Sequence, residues 1–216
     1  MKKILAIILL VLISTNLYAL TKDEENFLQA SQNGDIATVR NLLSAGMDID
    51  IQNERGWTAL ILASYNDYTE IAKESIRAGA DVNIQDKDGY TALIQASING
   101  NMEIVRELIR AKADVNIKNL YGYTALMWAS IHGYTEVVKE LIKVGANLNI
   151  QGVWGYTALI FASERGNTKI VKELINARAD IHIKDEKGNI ALDYAKANGH
   201  NEIVELLEKK GKEGKK

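Results

Sequence analysis

A short string of residues, rewritten at a shift of 33, constrains this chain more than any other feature. Gly56-Trp57-Thr58-Ala59-Leu60 returns as Gly89-Tyr90-Thr91-Ala92-Leu93, Gly122-Tyr123-Thr124-Ala125-Leu126 and Gly155-Tyr156-Thr157-Ala158-Leu159, then in altered form as Gly188-Asn189-Ile190-Ala191-Leu192. A second string keeps the same period: Ala80-Asp81-Val82-Asn83-Ile84, Ala113-Asp114-Val115-Asn116-Ile117, Ala146-Asn147-Leu148-Asn149-Ile150 and Ala179-Asp180-Ile181-His182-Ile183. A first unit, from about Glu25, lacks the Thr-Ala-Leu start but carries Met47-Asp48-Ile49-Asp50-Ile51 in register. Repetition at a fixed period of roughly 20 to 50 residues signals a solenoid, in which each unit buries its apolar face only against its neighbours.

Within a unit the residues spell two helices and a turn. Thr91 is placed to cap a helix from about Ala92 to Asn99, whose Leu93, Ala96 and Ser97 share one face. Gly100 ends it, as glycine does where the chain turns left-handed. A second helix near Met102 to Ala111 gathers Ile104, Val105, Leu108 and Ile109 on one side, as do Val137, Val138, Leu141, Ile142 and Ile170, Val171, Leu174, Ile175 in later units. An extended stretch follows, with a turn at Asp88-Gly89 or Lys187-Gly188 that projects as a hairpin. The second unit departs from the pattern twice, with Asp67 at a glycine position and Ser75 where other units have Leu.

A 33-residue helix–turn–helix unit with a projecting hairpin resembles the ankyrin repeat, whose first helix usually opens Thr-Pro-Leu-His. Here that opening is Thr-Ala-Leu-Ile or Thr-Ala-Leu-Met, so the helix start rests on the threonine without the family's usual Thr–His hydrogen bond. Alanine at the proline position fits a chain that has no proline at all, where average usage gives roughly eleven. The resemblance implies an all-α solenoid of about six units joined by β-hairpin loops, near residues 25–55, 56–88, 89–121, 122–154, 155–187 and 188–210, within a domain spanning 20–210. Polar residues mark both ends of the stack: Glu24, Glu25, Asn26 and Gln29 at the first helix, Glu205 and Glu208 in the last, then a charged tail over 211–216. Such ends predict a monomer.

Ahead of the repeats, Lys2-Lys3, the ten-residue apolar run Ile4–Ile13 and Ala19 have the layout of a secretory signal peptide over residues 1–19. Ten apolar residues are too few to span a bilayer, so no stable membrane insertion is expected after cleavage near Leu20. The expected location is therefore periplasmic or secreted.

The search for chemistry ends quickly. The chain has no cysteine, three histidines and a net charge of −2, which exclude disulfides and thiolate chemistry and leave no basic field for nucleic acid. No phosphate loop, zinc-protease, nucleophile-elbow or EF-hand spacing is present. Asp86 and Asp88 share a turn, but later turns carry Asn119-Leu120 and Gly152-Val153, so no cation site repeats. His132 has no carboxylate partner at a useful spacing and reads as an exposed contact residue. The expectation is a non-enzyme with no cofactor and no metal.

What remains is surface. In ankyrin-like stacks the hairpin tips and the exposed side of the first helices form a groove that typically grips another protein. Residues matching those positions are Leu120, Tyr121 and Tyr123, then Trp128 and Ile131, Val153, Trp154 and Tyr156, and finally Phe161. Tyr90, Tyr123 and Tyr156 recur in three successive units and so also read as packing on the adjoining hairpin. Leu120, Tyr121, Trp128, Val153 and Trp154 do not recur, and a turn tip has no structural need for them. The sequence therefore predicts an exported scaffold binding a protein partner, the alternative being an envelope module acting by self-association or by shielding a periplasmic enzyme.

Overall fold

The computed structural model describes residues 20–213, so the proposed signal peptide lies outside the described residues. Twelve α-helices and no strand occur among the described residues, arranged as six pairs. The first helices are α1 (Lys22–Asn33), α3 (Ala59–Asn66), α5 (Ala92–Asn99), α7 (Ala125–His132), α9 (Ala158–Glu164) and α11 (Ala191–Ala197). The second helices are α2 (Ile36–Ser44), α4 (Thr69–Arg77), α6 (Met102–Arg110), α8 (Thr135–Lys143), α10 (Thr168–Asn176) and α12 (Asn201–Glu213). The first helices stack as an inner row and the second as an outer row. Inner neighbours meet more closely than outer neighbours, which curves the stack with the inner row on its concave side.

The caps form as the sequence predicts. Thr58, Thr91, Thr124 and Thr157 each accept a hydrogen bond from the backbone N–H three residues on, at 3.2–3.4 Å. Thr21 caps α1 in a full capping box with Glu24, so the first unit starts one turn earlier than the repeat frame suggested. Asp67, where neighbouring units have glycine, is held left-handed at φ 61°, ψ 34°.

Three expectations need correction. The inner helices are not one-sided: every residue from Ala92 to Ser97 is buried, because each helix is enclosed by both inner neighbours, its own outer helix and a loop. The outer helices keep the expected stripe, with Ile104, Val105 and Leu108 buried and Ile109 only partly so. The connecting loops project as fingers, but each is a turn and not a strand ladder, closed by pairs such as Asp86 N–H to Tyr90 C=O and Gly89 N–H to Asp86 C=O, both 2.9 Å. The tail expected from 211 is helical as far as Glu213, with Gly211 against Ile181.

Side chains tie unit to unit at the same spacing. Asn83, Asn116 and Asn149 each accept a hydrogen bond from the backbone N–H of the residue 31 positions on, at 2.8–2.9 Å. Gln52, Gln85 and Gln151 bridge their own finger and the next through one amide nitrogen. These bonds satisfy backbone groups that an extended loop leaves open.

Candidate functional site

The fingers lie side by side along one edge of the concave face. One backbone bond links each to the next: Lys87 N–H to Arg55 C=O, Leu120 to Asp88, Val153 to Tyr121 and Glu186 to Trp154, at 2.8–3.0 Å. Four fingers contain an Asx residue whose oxygen accepts the N–H groups two and four positions on. These are Asn53, Asp86, Asn119 and Asp185. Both oxygens of Asp86 are engaged this way, one by Asp88 and Tyr90, the other by the Trp57 indole N–H at 2.9 Å. That occupies the carboxylate considered as a cation ligand, and no group of three or more metal-ligating side chains occurs among the described residues.

Numbered by the unit each leads into, the fingers run from the second (53–57) to the sixth (185–189), and the fifth (152–156) is built differently. Gly152 stands at the Asx position, and the ring of Tyr123 lies where its Cβ would be. Without the side-chain acceptor the loop tightens into a 3-10 turn over Val153–Gly155, and Trp154 takes φ 62°, ψ 13°. Arg55, Asp88, Tyr121 and Lys187, at the same position in other fingers, have no positive φ. Left-handed backbone costs a bulky residue about 1–2 kcal/mol. The Trp154 side chain returns little of that to the fold, being 61% exposed.

The sequence-predicted site residues separate into two groups. Leu120 at 72%, Tyr121 at 55% and Trp154 at 61% exposure stand at adjacent tips, with Val153 half-buried between them. The others form the floor. Tyr123, Trp128, Ile131 and Tyr156 are half-buried, and Phe161 is only 7% exposed. Phe161 was expected to face outward as an anchor; it is instead enclosed by Tyr123 and Tyr156, at 5.2 and 5.0 Å between ring centres. Leu62 and Gln95, at the same inner-helix position, are buried too.

Those aromatics make one continuous string. Tyr90, Trp128, Tyr123, Phe161, Tyr156 and Tyr194 follow one another at 5.0–6.3 Å, crossing from the third unit to the sixth. Tyr156 donates its hydroxyl to that of Tyr194 at 2.7 Å, and Tyr194 donates to Asp185. His132, exposed as expected, stacks between Trp128 and Tyr134. Burial pushes the Tyr123 and Tyr90 hydroxyls up, and both rings remain neutral at ordinary pH.

The family model "Ankyrin repeats (3 copies)" matches residues 27–119, 60–152 and 145–216. The chain belongs to the ankyrin-repeat family. Ankyrin repeats generally serve as protein–protein interaction modules. Comparison with the curated proteins finds no match. No helix among the described residues is long and apolar enough to cross a membrane. In this ankyrin stack the sequence missed the cross-unit Asn and Gln bonds. Their signal was present as Asn83, Asn116 and Asn149 recurring at 33 residues in an otherwise featureless loop.

Proposed function

We propose that this chain is an exported, monomeric ankyrin scaffold that binds a protein partner through its finger tips and concave floor and catalyses no reaction. One observation carries the reading: Leu120, Tyr121 and Trp154 place three large apolar side chains in solvent on neighbouring fingers, which the Val153-to-Tyr121 backbone bond holds together. Contiguous exposed apolar surface marks interaction sites, and Trp and Tyr are the residues that most often dominate binding energy. The neighbouring tips are charged: Glu54-Arg55, Lys87-Asp88 and Glu186-Lys187 rim the patch. Export rests on the signal-peptide layout of residues 1–19. Nucleic acid is disfavoured by the net charge of −2.

The test is capture of a partner from the envelope or culture fraction by the mature chain, with Tyr121→Ala and Trp154→Ala alongside. Each substitution should weaken capture by about 2 kcal/mol while leaving the melting temperature nearly unchanged. Variants that lose stability and keep full capture would make these rings packing residues.

A further inference from the structure

A cavity of about 320 Å³ lies between the fifth and sixth fingers, lined by Trp154, Tyr156, Asp185, Glu186 and Lys187. Two aromatic residues and two carboxylate residues thus share its lining. Asp185 is committed to the fold, accepting from Lys187, Asn189 and Tyr194. Glu186 is not: its side chain makes no hydrogen bond or ion pair among the described residues, and its backbone is bonded directly to Trp154. Lys187 also lines the cavity, so the lining residues sum to one negative charge.

The second finger sets a cation against the equivalent aromatic. Arg55 occupies the position equivalent to Trp154, and its guanidinium lies 5.9 Å above the ring of Trp57, the equivalent of Tyr156. That finger supplies its own cation to its own aromatic. The fifth finger has the aromatic and a second ring in place of the arginine, and the cavity it lines includes the unpaired carboxylate of Glu186. A planar guanidinium stacks on aromatic faces and pairs with carboxylates through one fork of donors, which a lysine ammonium does less well.

We propose that the cleft between the fifth and sixth fingers receives an arginine side chain of the protein partner, stacked against Trp154 and Tyr156 and paired with Glu186. This rests on the reading of the finger tips as a docking surface and gives that surface a specific chemistry. The apolar tips at Leu120 and Tyr121 then contact residues flanking the arginine.

The experiment uses Nα-acetyl-arginine amide and its citrulline counterpart, equal in shape but uncharged, titrated into the mature chain and followed by NMR of the Trp154 indole and the Glu186 amide. The arginine probe should move both signals and bind roughly threefold to tenfold more tightly than citrulline. Glu186→Gln should abolish most of that preference, and Lys187→Ala should strengthen it; both positions are exposed, so the fold is preserved. Equal binding of the two probes, shifts confined to other residues, or an unchanged preference in Glu186→Gln would overturn the proposal. Partner capture that needs Tyr121 and Trp154 but shows no arginine preference leaves the docking surface standing and removes the guanidinium. Arginine preference with capture insensitive to both rings removes the docking surface and keeps the cleft.

Discussion

The second unit is built one large side chain short, and replacing Ser75 with leucine tests how far its core depends on that loss. Ser75 is fully buried (0% exposed) on α4, and its hydroxyl has no hydrogen-bond partner. Leu108, Leu141 and Leu174 fill the same place in later units, equally buried. Burying a leucine side chain contributes about 1.5–3 kcal/mol. Removing an unpaired buried hydroxyl adds about 1 kcal/mol. Against this stands overpacking of about 1–3 kcal/mol if α2 and α6 have closed over the smaller residue. The net expectation for Ser75→Leu is a gain of roughly 1–2 kcal/mol. Ser75→Ala isolates the hydroxyl, since it adds no volume, and should gain less than leucine. Urea unfolding gives the sum, and amide exchange locates it, because each repeat touches only its neighbours. In the parent chain the amides of α4 should exchange faster than those of α6, and Ser75→Leu should narrow the gap. If Ser75→Leu lowered stability while Ser75→Ala raised it, the space would be closed and the missing-side-chain argument would fail. Equal protection of α4 and α6 in the parent chain would refute it outright.

Two further predictions concern the fingers. Burial pushes the Asp185 carboxyl up, but hydrogen bonds from Tyr194, Asn189 and Lys187 together outweigh it and hold the carboxyl below its usual value. A carboxylate lowered on folding adds stability that is present above its unfolded value and lost as pH falls through the folded one. The sixth finger should therefore loosen below about pH 4. Asp185→Asn should flatten that limb of the urea midpoint against pH; an unchanged limb assigns acid sensitivity elsewhere. At the fifth finger, Trp154→Gly should be more stable than Trp154→Ala by about 0.5–1 kcal/mol, because glycine adopts the left-handed backbone without the Cβ clash that alanine keeps. Both variants should lose partner capture, and equal melting temperatures for the two would mean that the turn relaxes without strain.

The sequence announced the architecture because its strongest signals are local. A threonine cap, a glycine that ends a helix and an apolar stripe at 3.6-residue spacing each act within one turn of chain, and repetition multiplied them. The inner helices were harder to read. In a seven-residue helix buried over most of its length, periodicity carries no direction, so Phe161 looked outward when it faces packing. What covers it are the aromatics that follow the finger glycines of its own and the preceding unit, Tyr156 and Tyr123, a contact set by how the loop folds back and invisible in spacing alone. Likewise Trp154 gave no sign of its left-handed backbone beyond Gly152 in a place where other fingers carry Asn or Asp. The cross-unit Asn and Gln bonds were legible in principle, had the loop's backbone donors been assigned partners one by one.

Once those contacts are assigned, nearly every recurring position has a duty inside the fold. Threonine caps, Asx oxygens hold fingers, asparagine and glutamine join units, and the finger aromatics roof the inner helices. Even the outer surface is committed in part, with ion pairs from unit to unit such as Arg40–Glu74, Arg106–Glu140 and Lys172–Glu202. Such exposed pairs contribute little individually, about 0–1 kcal/mol each. The tip residues are the exception. Leu120 and Trp154 expose most of their side-chain surface, and Trp154 adds a backbone conformation that the fold gains nothing by holding. Tyr121 at least rests near Tyr123, at 6.4 Å between ring centres. A stack in which each unit is stabilised only by its neighbours can tolerate one strained tip, because the cost stays within that finger. The same independence means that the tips can change without disturbing the helices beneath them. Strain and exposure that serve no internal contact, on adjoining fingers held in register by backbone bonds, are accounted for once a partner covers them.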